Sequence, residues 1–375
     1  MIRAIAFHLP QFHPIPENDA WWGKGFTEWT NVVGARPRFP GHYQPHLPAD
    51  IGFYDLRLPE TRAAQADLAA EYGIYGFCYY HYWFNSRQLL ERPVNEIWKS
   101  REPNFPFCLC WANENWTRRW DGHESEILLE QKYGIEDDLA HIRALIPFFH
   151  DPRYIRVMDR PFLAVYRAGA FPDPQRTAEL WRREVERAGL EGLFLVRVES
   201  HDQRGDPRNL GFDYSLEFQP RWSGMGRFQI FRRKWWHRHR FGTGEPVFLE
   251  NVVHDYEHLV RCALAEPPPA YPLIPCVCPG WDNSPRRKSG AGILVNSTPE
   301  RYEWWLREVV ERQAVRAGAA NTGISPESLV FINAWNEWGE GNHLEPCQKW
   351  GRKYLEATRR ALGTHATQSV EYAKT

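Results

Sequence analysis

Leu329-Val-Phe-Ile-Asn-Ala-Trp-Asn-Glu-Trp-Gly-Glu-Gly-Asn-His-Leu-Glu-Pro346 is the stretch on which the reading of the chain turns. It opens as a short apolar run with β-branched and aromatic residues, the pattern of a buried strand, and the glycines mark where the strand stops. Glu337, Glu340 and Glu345 therefore fall just past a strand's C-terminal end, where α/β architectures place their chemistry. If the chain coils into one helical turn there, Glu337 and Glu340, three apart, have neighbouring side chains. Two carboxyl groups at roughly 5 Å are what a retaining glycosidase uses. A polar helix start, with acids favoured by the helix dipole, is the plainer alternative; the flanking Trp335 and Trp338 favour sugar binding.

Working outward, seven further apolar runs occur: Ala4–Phe7, Gly76–Tyr80, Phe107–Trp111, Phe162–Tyr166, Leu193–Val198, Tyr214–Phe218 and Leu273–Val277. Between them helical periodicity predicts Leu58–Glu71, Arg87–Lys99, Ile135–Phe149, Gln175–Ala188, His254–Ala265 and Pro299–Ala317. Strands alternating with helices imply a parallel sheet, and eight units imply an α/β fold of the single (β/α)8 TIM-like barrel kind, with long βα loops over its C-terminal face. A doubly wound open sheet is the rival, weakened because no Gly-rich nucleotide fingerprint follows any strand. The barrel is expected over residues 1–362, with 363–375 a disordered tail of small and polar residues.

The barrel reading requires polar or aromatic residues after each strand, converging on one face. They are present: His8, Gln11 and His13; Tyr80-His-Tyr-Trp83; Trp111-Ala-Asn-Glu-Asn-Trp116; Tyr166 and Arg167; Arg197 and Glu199; Glu217 and Gln219; Trp281 and Asp282; Asn336, Glu337 and Glu340. The first connection, from Pro10 to Leu56, carries Trp21, Trp22, Glu28 and Trp29 and is expected to fold over the barrel mouth, unless its aromatics serve only to hold it down.

Composition narrows the partners. The 375 residues carry 46 basic and 47 acidic side chains for a net charge of −1, which gives no field for nucleic acid. Eighteen Trp and 16 Tyr exceed what a core needs and indicate stacking surfaces. Seven Cys without a CxxC pair, with Cys108/Cys110 and Cys276/Cys278 inside apolar runs, read as buried thiols, so no metal or other cofactor is expected. No secretory pattern and no 18-residue apolar run occur, and with reduced thiols this points to the cytoplasm and to no transmembrane segment. The stretch Arg221–Arg240 interleaves Arg and Lys with Phe, Trp and His. It is a solvated lid or self-association patch, or a place for an anionic lipid-linked glycan.

Several motifs resemble a known family: Trp21-Trp-x-x-Gly-Phe-Thr-Glu-Trp-Thr-Asn31, Gly41-His-Tyr-Gln-Pro45, Gly52-Phe-Tyr-Asp-Leu-Arg57, Trp111-Ala-Asn-Glu-Asn-Trp116 and Ala334-Trp-Asn-Glu-Trp-x-Glu-Gly341. In order and spacing, to about Gly351, they resemble the WbsX-like family of bacterial polysaccharide and O-antigen gene clusters, itself similar to glycoside hydrolase family 99. The resemblance implies a (β/α)8 barrel acting on glycans. By analogy with family 99 it implies a retaining, endo-acting mechanism on α-mannosides through a 1,2-anhydro sugar. Glu337 then falls on the base that deprotonates the 2-hydroxyl, expected to stay ionised, and Glu340 on the acid and base at the leaving oxygen, with a raised pKa. Gly339 departs from the pattern, since family 99 proper has a His between the acids. The expected substrate-binding set is Glu28, Trp29, Tyr80, His81, Tyr82, Trp83, Trp111, Asn113, Glu114, Trp116, Gln219, Trp281, Asp282, Trp335, Asn336 and Glu345, with rings stacking on Trp29, Trp83, Trp116 and Trp281. A sugar-nucleotide glycosyltransferase is the second reading, although no convincing DxD motif is present; a non-catalytic glycan-binding barrel is the third.

Overall fold

A computed structural model describes residues 1–118, 123–225, 251–318 and 323–363. Its frame is a ring of parallel strands: β1 (Arg3–His8), β2 (Ile74–Phe84), β3 (Phe107–Trp111), β4 (Arg160–Val165), β5 (Phe194–Val198), β6 (Tyr214–Leu216), β7 (Leu273–Ile274 with Cys276–Val277) and β8 (Leu329–Ile332). Each strand pairs with the next, and β8 pairs with β1. Closure runs through Pro275. Lacking an N–H, it interrupts β7, and the two halves bond different neighbours: Leu273–Ile274 lies on β6 and Cys276–Val277 on β8. The Pro275 carbonyl still accepts from Phe331 N at 2.9 Å. The open-sheet rival is excluded by this ring.

Inside the barrel the strands meet through aromatic rings. Phe7 stacks on Tyr80 at 5.5 Å and touches Phe331 and Phe218, while Phe331 stacks on Phe162. Helices form the outer layer, and Pro59–Glu71, Ile135–Phe149, Pro174–Arg187 and Pro299–Ala317 lie where periodicity predicts them.

Two expectations are corrected. The predicted helix Arg87–Lys99 is two elements: β2 overshoots the barrel, turns back through Asn85 and Ser86, both with positive φ, and pairs antiparallel with Arg87–Leu89. Only Arg92–Ser100 is helical, with Pro93 in its first turn, where a missing N–H costs nothing. His254 belongs to a short strand, Val252–Asp255, paired with Gly292–Val295. The next helix, Tyr256–Ala265, starts where the Asp255 carboxylate accepts from Glu257 N. Helices Pro16–Trp22 and Glu28–Gly34 in the first connection and Lys353–Ala361 at the end escape the pattern reading. The expected tail from residue 364 onward lies outside the described residues. No helix among the described residues is long and apolar enough to cross a membrane.

Candidate active site

Beyond β8 the chain makes a narrow hairpin in which Asn336–Glu337 pairs antiparallel with Asn342–His343. One 3-10 turn, Trp338–Glu340, separates the pieces, and Gly341, at φ 55, closes it in the left-handed region that glycine adopts without strain. The expected turn is thus tighter than α-helical, and Glu337 and Glu340 stand at its two ends. Asn336 ties the hairpin to the first connection: its Oδ1 accepts from Leu9 N at 2.7 Å and its Nδ2 donates to Leu9 O at 3.0 Å.

One guanidinium joins the two acids. Arg286, from the loop after β7, donates Nη2 to Glu337 Oε2 at 2.8 Å and faces Glu340 Oε1 with Nη1 at 2.9 Å. Its Nε donates to Glu28 Oε1 at 2.7 Å. These side chains are largely shielded from solvent: Glu28 is 0%, Glu337 7%, Arg286 12% and Glu340 19% exposed. Burial pushes both Glu337 and Glu340 above the usual carboxylate range, with Arg286 opposing and the neighbouring carboxylates adding to the rise. Two buried carboxyls bridged by one guanidinium titrate together, so a proton taken up belongs to the pair. The expectation that Glu337 simply stays ionised is therefore modified: both carboxyls are pushed the same way, by the same loss of water.

Gly339 explains its own identity. A Cβ built there would lie 1.8 Å from Glu28 Oε1 and 2.7 Å from Arg286 Nε, so a side chain at this position would have to displace the ion cluster packed against it.

Strand alternation sorts the predicted residues, because successive side chains on a strand point to opposite faces. Tyr80 and Tyr82 face the acid pair together with Tyr166; desolvation raises all three phenols, and the nearby carboxylates add to it. Tyr82 Oη accepts from Gln11 Nε2 at 2.9 Å. His81 and Trp83 point the other way, into the layer between barrel and helices: the imidazoles of His81 and His141 meet at 2.9 Å, and Trp83 stacks on His141. Trp111 packs in the same layer against His141, Trp181 and Phe171. The structure thus brings Tyr80 and Tyr82 to the acids and places His81, Trp83 and Trp111 away from them.

Other predicted residues are engaged by the protein itself. Glu345 accepts from Tyr54 Oη, Gln65 Nε2, Trp335 Nε1 and Trp338 Nε1 at 2.6–2.9 Å, so it sits in a buried knot with Trp335 beneath the hairpin. Trp29 is wedged among Phe12, Tyr54 and Trp338. Asn113 is committed to Tyr133 and to the Arg167 backbone, and Gln219 to Glu217 and Arg221 N. Asp282 accepts from His42 and Gln44, each at 2.6 Å.

More open are Glu114, paired with Arg167 and His201, and Trp116, whose ring meets Tyr82 and Trp21 edge-on. These two border a cavity of about 170 Å³ shared with Gln11, Asn18, Trp21 and Trp22. Trp281 lines a separate pocket of about 320 Å³ beside Gly341.

Arg286 was not anticipated; in Asn283-Ser-Pro-Arg-Arg-Lys288 it reads as one more charge in a turn, and only its place after β7 hints at the site. Of the basic loop Arg221–Arg240, residues from 226 lie outside the described residues. Arg221 itself is paired with Glu266.

With this geometry in place, the comparisons with known proteins agree on a family and a fold. Two proteins named WxcX, from Xanthomonas campestris pv. campestris strains ATCC 33913 and B100, are 45% identical over 358 residues; both are uncharacterised. The alignment covers 96% of this chain and 49% of theirs, so the chain spans about half the length of the curated relatives it matches. Among solved structures, a glycoside hydrolase-like protein superposes with a TM-score of 0.58 at 12% identity, covering 96% of this chain and 94% of the other. The GH99 endo-alpha-mannosidase from Bacteroides thetaiotaomicron superposes with a TM-score of 0.55 at 14% identity, covering 96% of each chain. At such identities the likeness is one of fold, the TIM barrel of those enzymes. A family model described as "Glycosyltransferase WbsX" matches residues 4–358, and the chain belongs to that family.

Proposed function

We propose that this barrel is a retaining glycosidase, or a transglycosylase using the same intermediate, acting on a bacterial surface polysaccharide of α-mannoside-like chemistry. The supporting observation is the buried pair Glu337 and Glu340 at the C-terminal end of β8, bridged by one guanidinium and faced by three phenols. In the first step Glu337 takes the proton of the sugar 2-hydroxyl as O2 attacks the anomeric carbon. The bond to the leaving oxygen breaks, and Glu340 supplies that oxygen with its proton. In the second step Glu340 takes a proton from water or an acceptor hydroxyl, whose oxygen opens the 1,2-anhydro ring, and Glu337 returns its proton to O2. Two inversions give retention. The upward shift of Glu340 suits the acid's role, and the upward shift of Glu337 makes it a stronger base toward the 2-hydroxyl once ionised. Trp116 and the adjoining cavity supply an aromatic face for a neighbouring sugar ring.

The family's description favours a second reading, transfer from a sugar nucleotide. The test is to incubate the protein with surface polysaccharides and α-mannan fragments and to follow products by mass spectrometry and NMR. New reducing ends of retained configuration, lost by a factor of 10³ or so in Glu337→Gln and in Glu340→Gln, are the expected result. Products formed only when a sugar nucleotide is added would establish the transferase instead.

A further inference from the structure

We infer that Glu28 is the positioning carboxylate of this site: it fixes Arg286 through Nε, so that the two Nη groups each occupy one oxygen of Glu337 and Glu340 and leave the other oxygen of each acid free for substrate. This deepens the glycosidase reading and rests on it for the roles of the two acids.

A guanidinium is a rigid planar fork. Once Nε is committed to Glu28 Oε1 at 2.7 Å, the plane of the fork is set and the directions of Nη1 and Nη2 follow. They point to Glu340 Oε1 and Glu337 Oε2. The remaining oxygens, Glu337 Oε1 and Glu340 Oε2, make no hydrogen bond among the described residues and are not among the buried unpartnered atoms. They are the ones left to act on a 2-hydroxyl and a leaving oxygen.

Glu28 is well placed for this work because its side-chain bond goes to Arg286 and to neither acid. It begins the helix Glu28–Gly34, is fully buried, and bonds the cluster only through Arg286. Its second oxygen, Oε2, is buried without a partner, a desolvated charge that keeps the guanidinium close. The missing side chain at Gly339 is the opening through which Glu28 and Arg286 meet.

The charge count gives the position a consequence. Three carboxylates share Arg286, Arg287 acts on Glu340 from farther off, and the phenols of Tyr80, Tyr82 and Tyr166 face the pair without a charge. The negative charge of Glu28 therefore favours a proton on the Glu337/Glu340 pair.

The test separates geometry from charge. Glu28→Gln keeps a carbonyl oxygen for Arg286 Nε and removes the charge, whereas Glu28→Ala removes both. In protein labelled with ¹³C at glutamate carboxyls, the two acids are assigned by the signals lost in Glu337→Gln and Glu340→Gln and titrated without substrate. Glu28→Gln should lower their midpoints by roughly one unit. With a processed glycan, it should move the acid limb of kcat/KM to lower pH by a similar amount, while Glu28→Ala lowers kcat far more than it changes KM. Midpoints unmoved in Glu28→Gln overturn the assignment, and the titration decides this even if no glycan is ever cleaved.

Discussion

At the level of single residues, what a side chain is and where it points are separate questions. Tyr80-His-Tyr-Trp83 reads as four site residues in sequence, yet alternation sends two to the acids and two into the helical layer. The register that decides between them is set by neighbouring strands and leaves no mark in the tetrapeptide. Glu345 was legible as a strand-end acid but not as the centre of a knot, because its donors Tyr54 and Gln65 come from 291 and 280 residues away. That knot makes a prediction. Burial pushes Glu345 up to about 7 against donors that favour its ionised form. In Glu345→Gln an amide N–H replaces one accepting oxygen and faces Trp338 Nε1–H or Trp335 Nε1–H, leaving a buried donor unpaired. The expected cost is about 1–3 kcal/mol in urea unfolding. An unchanged unfolding midpoint with weakened glycan binding would instead make Glu345 a substrate ligand.

At the level of elements, the strands were legible because a parallel barrel buries both faces of each one, and an apolar run is a local signal. The hairpin beyond β2 was not, since Asn85 and Ser86 need positive φ and no glycine announces them. The helices of the first connection were missed for a related reason: at seven residues each they are too short for periodicity to show. The interface between β2 and the helix Ile135–Phe149 separates two tryptophans by role. Trp83 stacks on His141 and donates Nε1 to Asp137 Oδ2 at 3.1 Å, all within the layer between barrel and helices. Trp83→Ala should cost about 3–5 kcal/mol of stability. Trp116→Ala, at the cavity edge, should leave the melting temperature within a few degrees and raise KM for a processed glycan. Equal melting temperatures for the two variants would contradict this division.

Across the whole molecule, buried titratable groups of two kinds set a pH dependence that no single site shows. Burial lowers His8, His81 and His343 to about 3 and His13 and His46 to about 4, and puts His141 well below its ordinary value. Each is neutral in the fold where the unfolded chain is protonated, so its contribution is present above 6.5 and lost as pH falls toward the folded value. Glu217, Glu337, Glu340 and Glu345 are shifted upward, chiefly by burial. Their contribution is present below 4.5 and lost as pH rises through their folded values. Between about 4.5 and 6.5 the two slopes oppose each other. Below about 4.5 the unfolded glutamates are protonated too, and the histidine slope is joined by that of carboxyls the fold holds below their ordinary range, Asp55, Asp151 and Asp282 among them, each proton worth about 1.4 kcal/mol per pH unit. Urea midpoints measured from pH 4 to 8 should form a broad maximum near pH 5–7, fall steeply on the acid side and more gently above about 7. A steady rise from pH 5 to 8 would mean that the buried glutamates ionise at ordinary values, and the proton that the acid pair is expected to hold would then be absent at neutral pH.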